Sequence, residues 1–112
     1  MPGEAASIRV ALTTVGSLEE GRRMARALVE RRLAACVNLV PKLTSIYRWQ
    51  GAVEEAEEVL LVMKTTEAQL GALEAAVREL HSYEVPEFLA LRVEASSQPY
   101  LEWLLGSVGR ER

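Results

Sequence analysis

The amino-acid sequence predicts an α+β protein of the ferredoxin-like βαββαβ type, with an antiparallel sheet, a long hairpin between its second and third strands and a C-terminal helix. Three observations lead there. Strand-like and helix-like patterns alternate in that order with short connections. Two capping-box spacings, Ser17 to Glu20 and Thr66 to Gln69, each open a segment of helical period. The two strands between those helices are too long for the body of so small a chain.

Ile8 to Val15 is a mostly apolar run rich in β-branched residues and closed by Gly16, which reads as a buried strand. After Ser17, the residues Leu18, Gly21, Ala25 and Leu28 recur at helical spacing opposite Glu19, Arg22, Arg23 and Arg26. Beyond Leu33 the chain runs AACVNLV, then Pro41-Lys42, then LTSIYRW, which predicts one long strand with a break at Pro41. Trp49-Gln50-Gly51 allows a turn, and Val53 to Thr65 resumes strand character through the continuously apolar VLLVM. Leu70, Leu73, Val77 and Leu80 then form the stripe of a second helix, ended by His81-Ser82. Pro86 resets the backbone, Phe88 to Val93 predicts a fourth strand, and Tyr100, Leu101, Leu104, Leu105 and Val108 mark a terminal helix.

The 112 residues suit one domain, residues 1–112, with one core. The two hairpin strands, at ~13 residues each, span roughly 40 Å, well beyond a compact chain of this size. The hairpin is expected to overhang. Carrying Ile46, Tyr47 and Trp49, it would expose apolar side chains and strand edges in a monomer, so a closed cyclic oligomer is expected.

Composition excludes several function classes. A net charge of −3 offers no basic field for nucleic acid or an anionic membrane. Arg22, Arg23, Arg26, Arg31 and Arg32 are interleaved with Glu19, Glu20 and Glu30, as on a solvated, salt-bridged face. The single cysteine, Cys36, allows no internal disulfide, and the start of the chain has an acid where a signal peptide carries positive charge. A cytoplasmic location is the expectation. Catalysis is not expected, because the one histidine comes with no aspartate and no nucleophile signature, and Gly16-Ser17 reads as an ordinary turn and cap.

Candidate functional residues carry two readings each. His81 is either an imidazole ligand for copper or another divalent cation, helped by Glu84 and Glu87, or a helix C-cap. Tyr47, Arg48, Trp49 and Tyr83, with Lys64, either line a cleft between subunits that holds a small anion or pack an interface. Cys36, among Ala34, Ala35 and Val37, reads as core, and Glu54, Glu55, Glu57 and Glu58 as a solvated face that protects a strand edge.

LAACVNLVPKLTSIYRWQG, EEVLLVMKT and LHSYEVPEFLAL resemble the signature blocks of the CutA divalent-cation tolerance family. The resemblance spans roughly residues 8 to 105. It implies a ferredoxin-like subunit, a non-catalytic homotrimer similar in design to the PII signalling proteins, and tolerance to copper and other divalent metals. It places Thr13 where some members carry a cysteine reported as a copper ligand, keeps one histidine, His81, and puts Ser82 where proline is usual. Weak binding of copper or another divalent cation is implied, with a PII-like sensor of a small anionic metabolite as the alternative.

Overall fold

The computed structural model describes residues 7–110. Its elements are β1 (Ile8–Val15), α1 (Leu18–Glu30), β2 (Cys36–Trp49), β3 (Ala52–Thr66), α2 (Glu67–Leu80), β4 (Leu89–Arg92) and α3 (Gln98–Ser107). The sheet order is β2-β3-β1-β4 with every pairing antiparallel, which is the expected βαββαβ arrangement.

Side chains alternate across the sheet, so β1 and β3 each contribute to two faces. One face, with Ala11, Val15, Val59, Leu61 and Met63, is covered by Met24 and Leu28 of α1 and by Leu73, Ala76 and Val77 of α2. Helix α1 lies so close that a Cβ on Gly21 would stand 3.1 Å from Leu39 and 3.3 Å from Val15, and those side chains would have to shift by a few tenths of an ångström to admit it. The opposite face is covered by a helix at one end, where Leu101, Leu104 and Val108 pack on Ile8 and Ala35. Beyond that end, Val10, Leu12, Leu60 and Val62 are half-buried and Val40, Leu89 and Leu91 are exposed, so an apolar strip lies open along the sheet.

The hairpin overhangs as expected. β2 and β3 are 14 and 15 residues long, and the molecule measures 46 × 26 × 22 Å. Gln50 and Gly51, both at positive φ, form the two-residue turn between the paired Trp49 and Ala52, the geometry that matches strand twist. Pro41 does not end β2. Instead the register shifts between Val40 and Leu43 with Lys42 at φ 60°, a bulge that absorbs the residue lacking an N–H without breaking the strand.

Several local expectations change. Ser17 Oγ accepts the Glu20 N–H at 3.1 Å, but Thr66 caps α2 without a side-chain hydrogen bond. The fourth strand is shorter than Phe88–Val93, because those two side chains pack into the two cores and only Leu89–Arg92 pairs with β1. Cys36 is half-buried on the open face and not in the core. Arg23 makes an expected surface pair with Glu19, Arg31 pairs instead with Glu79 of α2, and Arg32 turns away from that face. At φ 59° it donates from Nε to the Gly109 carbonyl at 2.7 Å and from a terminal nitrogen to that of Gly106 at 2.8 Å, fastening α3 to the end of α1.

Thr13 is fully buried on the helix-covered face, and its hydroxyl is the one buried side-chain polar atom without a hydrogen-bond partner among the described residues. A buried hydroxyl that forgoes water and gains no bond is destabilising. Thr13→Val, nearly isosteric, is therefore expected to raise stability by about 1 kcal/mol, read as a higher urea midpoint at fixed protein concentration. An unchanged or lower midpoint would mean that the hydroxyl has a partner in solution.

Candidate functional site

Where β1 ends, the overhanging hairpin and the loop joining α2 to β4 enclose a cleft of about 560 Å³. The loop is held there by a set of hydrogen bonds centred on His81, the C-cap of α2. Nε2 lies 2.8 Å from the Thr14 carbonyl oxygen, which can only accept, and Nδ1 accepts the Tyr83 N–H at 3.0 Å. Those two partners select the neutral tautomer with its proton on Nε2. The imidazole is wholly buried, with its ring centre 4.7 Å from that of Tyr83.

Glu20 completes the tether. Instead of reaching back to the N-cap as a capping box would, its carboxylate accepts from the Ser82 N–H and the Ser82 hydroxyl, both at 3.0 Å. One of its oxygens lies 3.8 Å from His81 Nδ1. The Tyr83 ring lies over Gly16, and its hydroxyl donates to Glu58 at 2.6 Å. Burial, and then this bond to a negative partner, push the Tyr83 phenol well above its ordinary value.

The cleft is acidic and aromatic. Glu58, Glu84 and Glu87 contribute carboxylates, Tyr47, Trp49 and Tyr83 contribute rings, and Thr14 and Ser45 contribute small polar groups. Among the described residues, no lysine or arginine belongs to its lining. Lys64 lies on the open sheet face opposite Cys36, where its ammonium donates to Asn38 Oδ1 and stands 4.0 Å from the Cys36 sulfur. Arg48 pairs with Val53 near the hairpin tip. The structure thus brings Tyr47, Trp49, Tyr83, Glu84 and Glu87 together and leaves Arg48 and Lys64 outside. His81 stands behind the cleft and holds the loop. No three histidine, cysteine or acidic side chains converge on one point among the described residues.

Residues 9–107 match the profile of the CutA1 divalent ion tolerance protein family. The chain belongs to that family. The divalent-cation tolerance protein CutA of Thermus thermophilus is 53% identical over 100 residues, covering 89% of this chain and 97% of that protein. Human protein CutA is 48% identical across 88% of this chain and 55% of its own length, so the chain spans about half of that relative. The solved Thermus thermophilus structure superimposes with a TM-score of 0.89 at 52% identity, covering 91% of this chain and 99% of that one. CutA1 from Oryza sativa gives 0.91 at 40% identity, covering 96% and 99%. Names within the CutA1 family point to different compartments, with a chloroplastic protein in rice and a periplasmic one in Archaeoglobus fulgidus. No helix among the described residues of this CutA1 chain is long and apolar enough to cross a membrane.

Two charged residues of the site were missed by sequence reasoning. Glu58 looks like the fourth member of a solvated glutamate run, but its neighbours Glu54, Glu55 and Glu57 are exposed while it is only 7% exposed. Its place just before the apolar VLLVM, at the inner end of the overhang, was the available signal. Glu20 was assigned to a local cap, and nothing in the sequence pairs it with Ser82, 62 positions away.

Removing the imidazole leaves a buried carbonyl and an N–H unpaired, so His81→Ala is expected to cost about 2 kcal/mol in urea unfolding, while an exposed cap would cost far less. Tyr83 gives a pH signature. Because its folded value lies above the ordinary 10, its contribution is present in full below pH 10 and lost as pH rises through the folded value. In ultraviolet titration, the difference between the wild type and Tyr83→Phe should show no phenolate at pH 10; ionisation there would contradict the Glu58 bond.

Proposed function

We propose that the protein is a non-catalytic, cytoplasmic divalent-cation tolerance protein, one 112-residue domain per subunit, which works as a homotrimer and binds copper or another divalent ion weakly at the acidic cleft. The observation that carries this reading is the charge of the cleft, three carboxylates with no basic side chain among the described residues of its lining. Oxygen donors suit hard and borderline divalent ions, and their long-range attraction favours cations of any size. The family's printed description as divalent ion tolerance proteins supports the same direction.

Glu84 and Glu87 are the ligands we assign, with Glu58 behind them. His81 could join only by giving up its bond to Thr14 or to Tyr83. A single subunit gathers too few donors at one point, which is the reason for assigning the working site to the assembly. Support for assembly comes from the open apolar strip of Val10, Leu12, Leu60, Val62, Leu89 and Leu91, and from the exposed Ile46 and Val53 of the hairpin. Apolar surface of this extent favours burial against another copy. The alternative, a PII-like sensor of a small anion, is less favoured, since neither Arg48 nor Lys64 is among the residues that line the cleft of one subunit.

Light scattering should give the mass of three subunits at micromolar concentration, and a monomeric mass would overturn the assembly. Titration calorimetry of metal-free protein with copper(II) and zinc(II) should show saturable binding that weakens about tenfold or more in a Glu84→Gln/Glu87→Gln variant. Binding unaffected by that double variant would move the metal elsewhere, and no binding would make the metal role indirect.

A further inference from the structure

Glu58 is a buried carboxylate with no positive partner among the described residues. It is 7% exposed, and its one hydrogen bond among the described residues comes from the Tyr83 hydroxyl. A charge withdrawn from water is costly unless a counter-charge meets it, and a neutral phenol supplies a bond without supplying that charge. A cation entering the cleft would meet that carboxylate directly.

The rest of the cleft indicates what kind of cation fits. Tyr47, Trp49 and Tyr83 are 43%, 46% and 36% exposed within one subunit, and their rings form its walls. Aromatic rings do little for a hydrated divalent ion, which demands oxygen or nitrogen donors converging at bonding distance. They do attract alkylated ammonium groups, whose charge is spread over an apolar surface that also gains by leaving water. The volume, about 560 Å³, is that of a small-molecule site and much larger than a metal ion needs. Glu84 and Glu87 at the mouth add attraction for a positive ligand and repel anions.

We propose that this cleft is a receptor for an alkylated organic ammonium ion, with Glu58 as the buried counter-charge and Tyr47, Trp49 and Tyr83 as the ring surfaces against which the cation packs. Such binding does not rest on metal binding in the same cleft, and the two fail separately.

The test uses choline as the probe and 3,3-dimethylbutan-1-ol, its uncharged isostere, as the control. In a Trp103→Phe background Trp49 is the one tryptophan, so its fluorescence reports the cleft directly. The expected result is a saturable change with choline, beyond that of matched sodium chloride, and none with the alcohol. Glu58→Gln should weaken it about tenfold, and Tyr47→Leu several-fold, in variants whose mass by light scattering equals that of the wild type. No saturable change, an equal response to the alcohol, or affinity unaltered in both variants would overturn the proposal. Copper(II) and zinc(II) calorimetry on the same preparation separates the readings: metal binding without choline binding removes the organic cation alone, and choline binding with neither metal bound removes the metal alone.

Discussion

The constraint on which the rest of this structure depends is the difference in rise between a strand and a helix. A strand advances about 3.3 Å per residue and an α-helix 1.5 Å, so helices of 13 and 14 residues cannot cover strands of 14 and 15. The two helices pack over the inner half of the sheet, and the outer half of the hairpin projects without a layer beneath it. The 46 Å long dimension is a direct result. So is the position of the cleft, which forms where the covered part of the sheet gives way to the overhang.

At that boundary the chain spends its polar interactions on a loop. His81, Ser82 and Tyr83 are consecutive, and each is tied to a different element: to β1 through the Thr14 carbonyl, to α1 through Glu20, and to β3 through Glu58. Three anchors in three residues leave the loop little freedom and fix where Glu84 and Glu87 begin. The histidine contributes through its shape and its two opposed nitrogens, one donating and one accepting, and hence through being neutral. A lysine or arginine could not accept the Tyr83 N–H.

The electrostatics of the cleft follow from what the fold excludes from it. Lys64 is only six residues from Glu58 on the same strand and, by strand alternation, on the same face, yet it sits some 20 Å farther along, bound to Asn38 beside Cys36. The basic side chains of α1 lie on its outer surface, and Arg32, just beyond that helix, lies at the α3 junction. A protein with a net charge of −3 therefore concentrates negative charge in one concave place lined with aromatic rings. Cations are the ligands that such a surface favours.

Much of this was legible in the sequence because it is local. The order of elements, the Ser17 cap, the turn at Gln50-Gly51, the irregularity at Pro41 and the overlong hairpin all follow from periodicity, capping and turn chemistry within short windows, and the signature blocks were enough to indicate the CutA family. Tyr47, Trp49, Tyr83, Glu84 and Glu87 were likewise named as candidates, since aromatic and acidic residues near turns are visible one at a time. What only the tertiary structure decided was company. Glu58 left its exposed run to face Tyr83, Glu20 left its own helix cap to hold Ser82, Arg32 turned from surface to clasp, and Lys64 and Arg48 fell outside the cleft. These outcomes depend on contacts between residues 25 to 77 positions apart, which no short window contains. They arise only when the sheet brings strand ends, a loop and a helix terminus to one place.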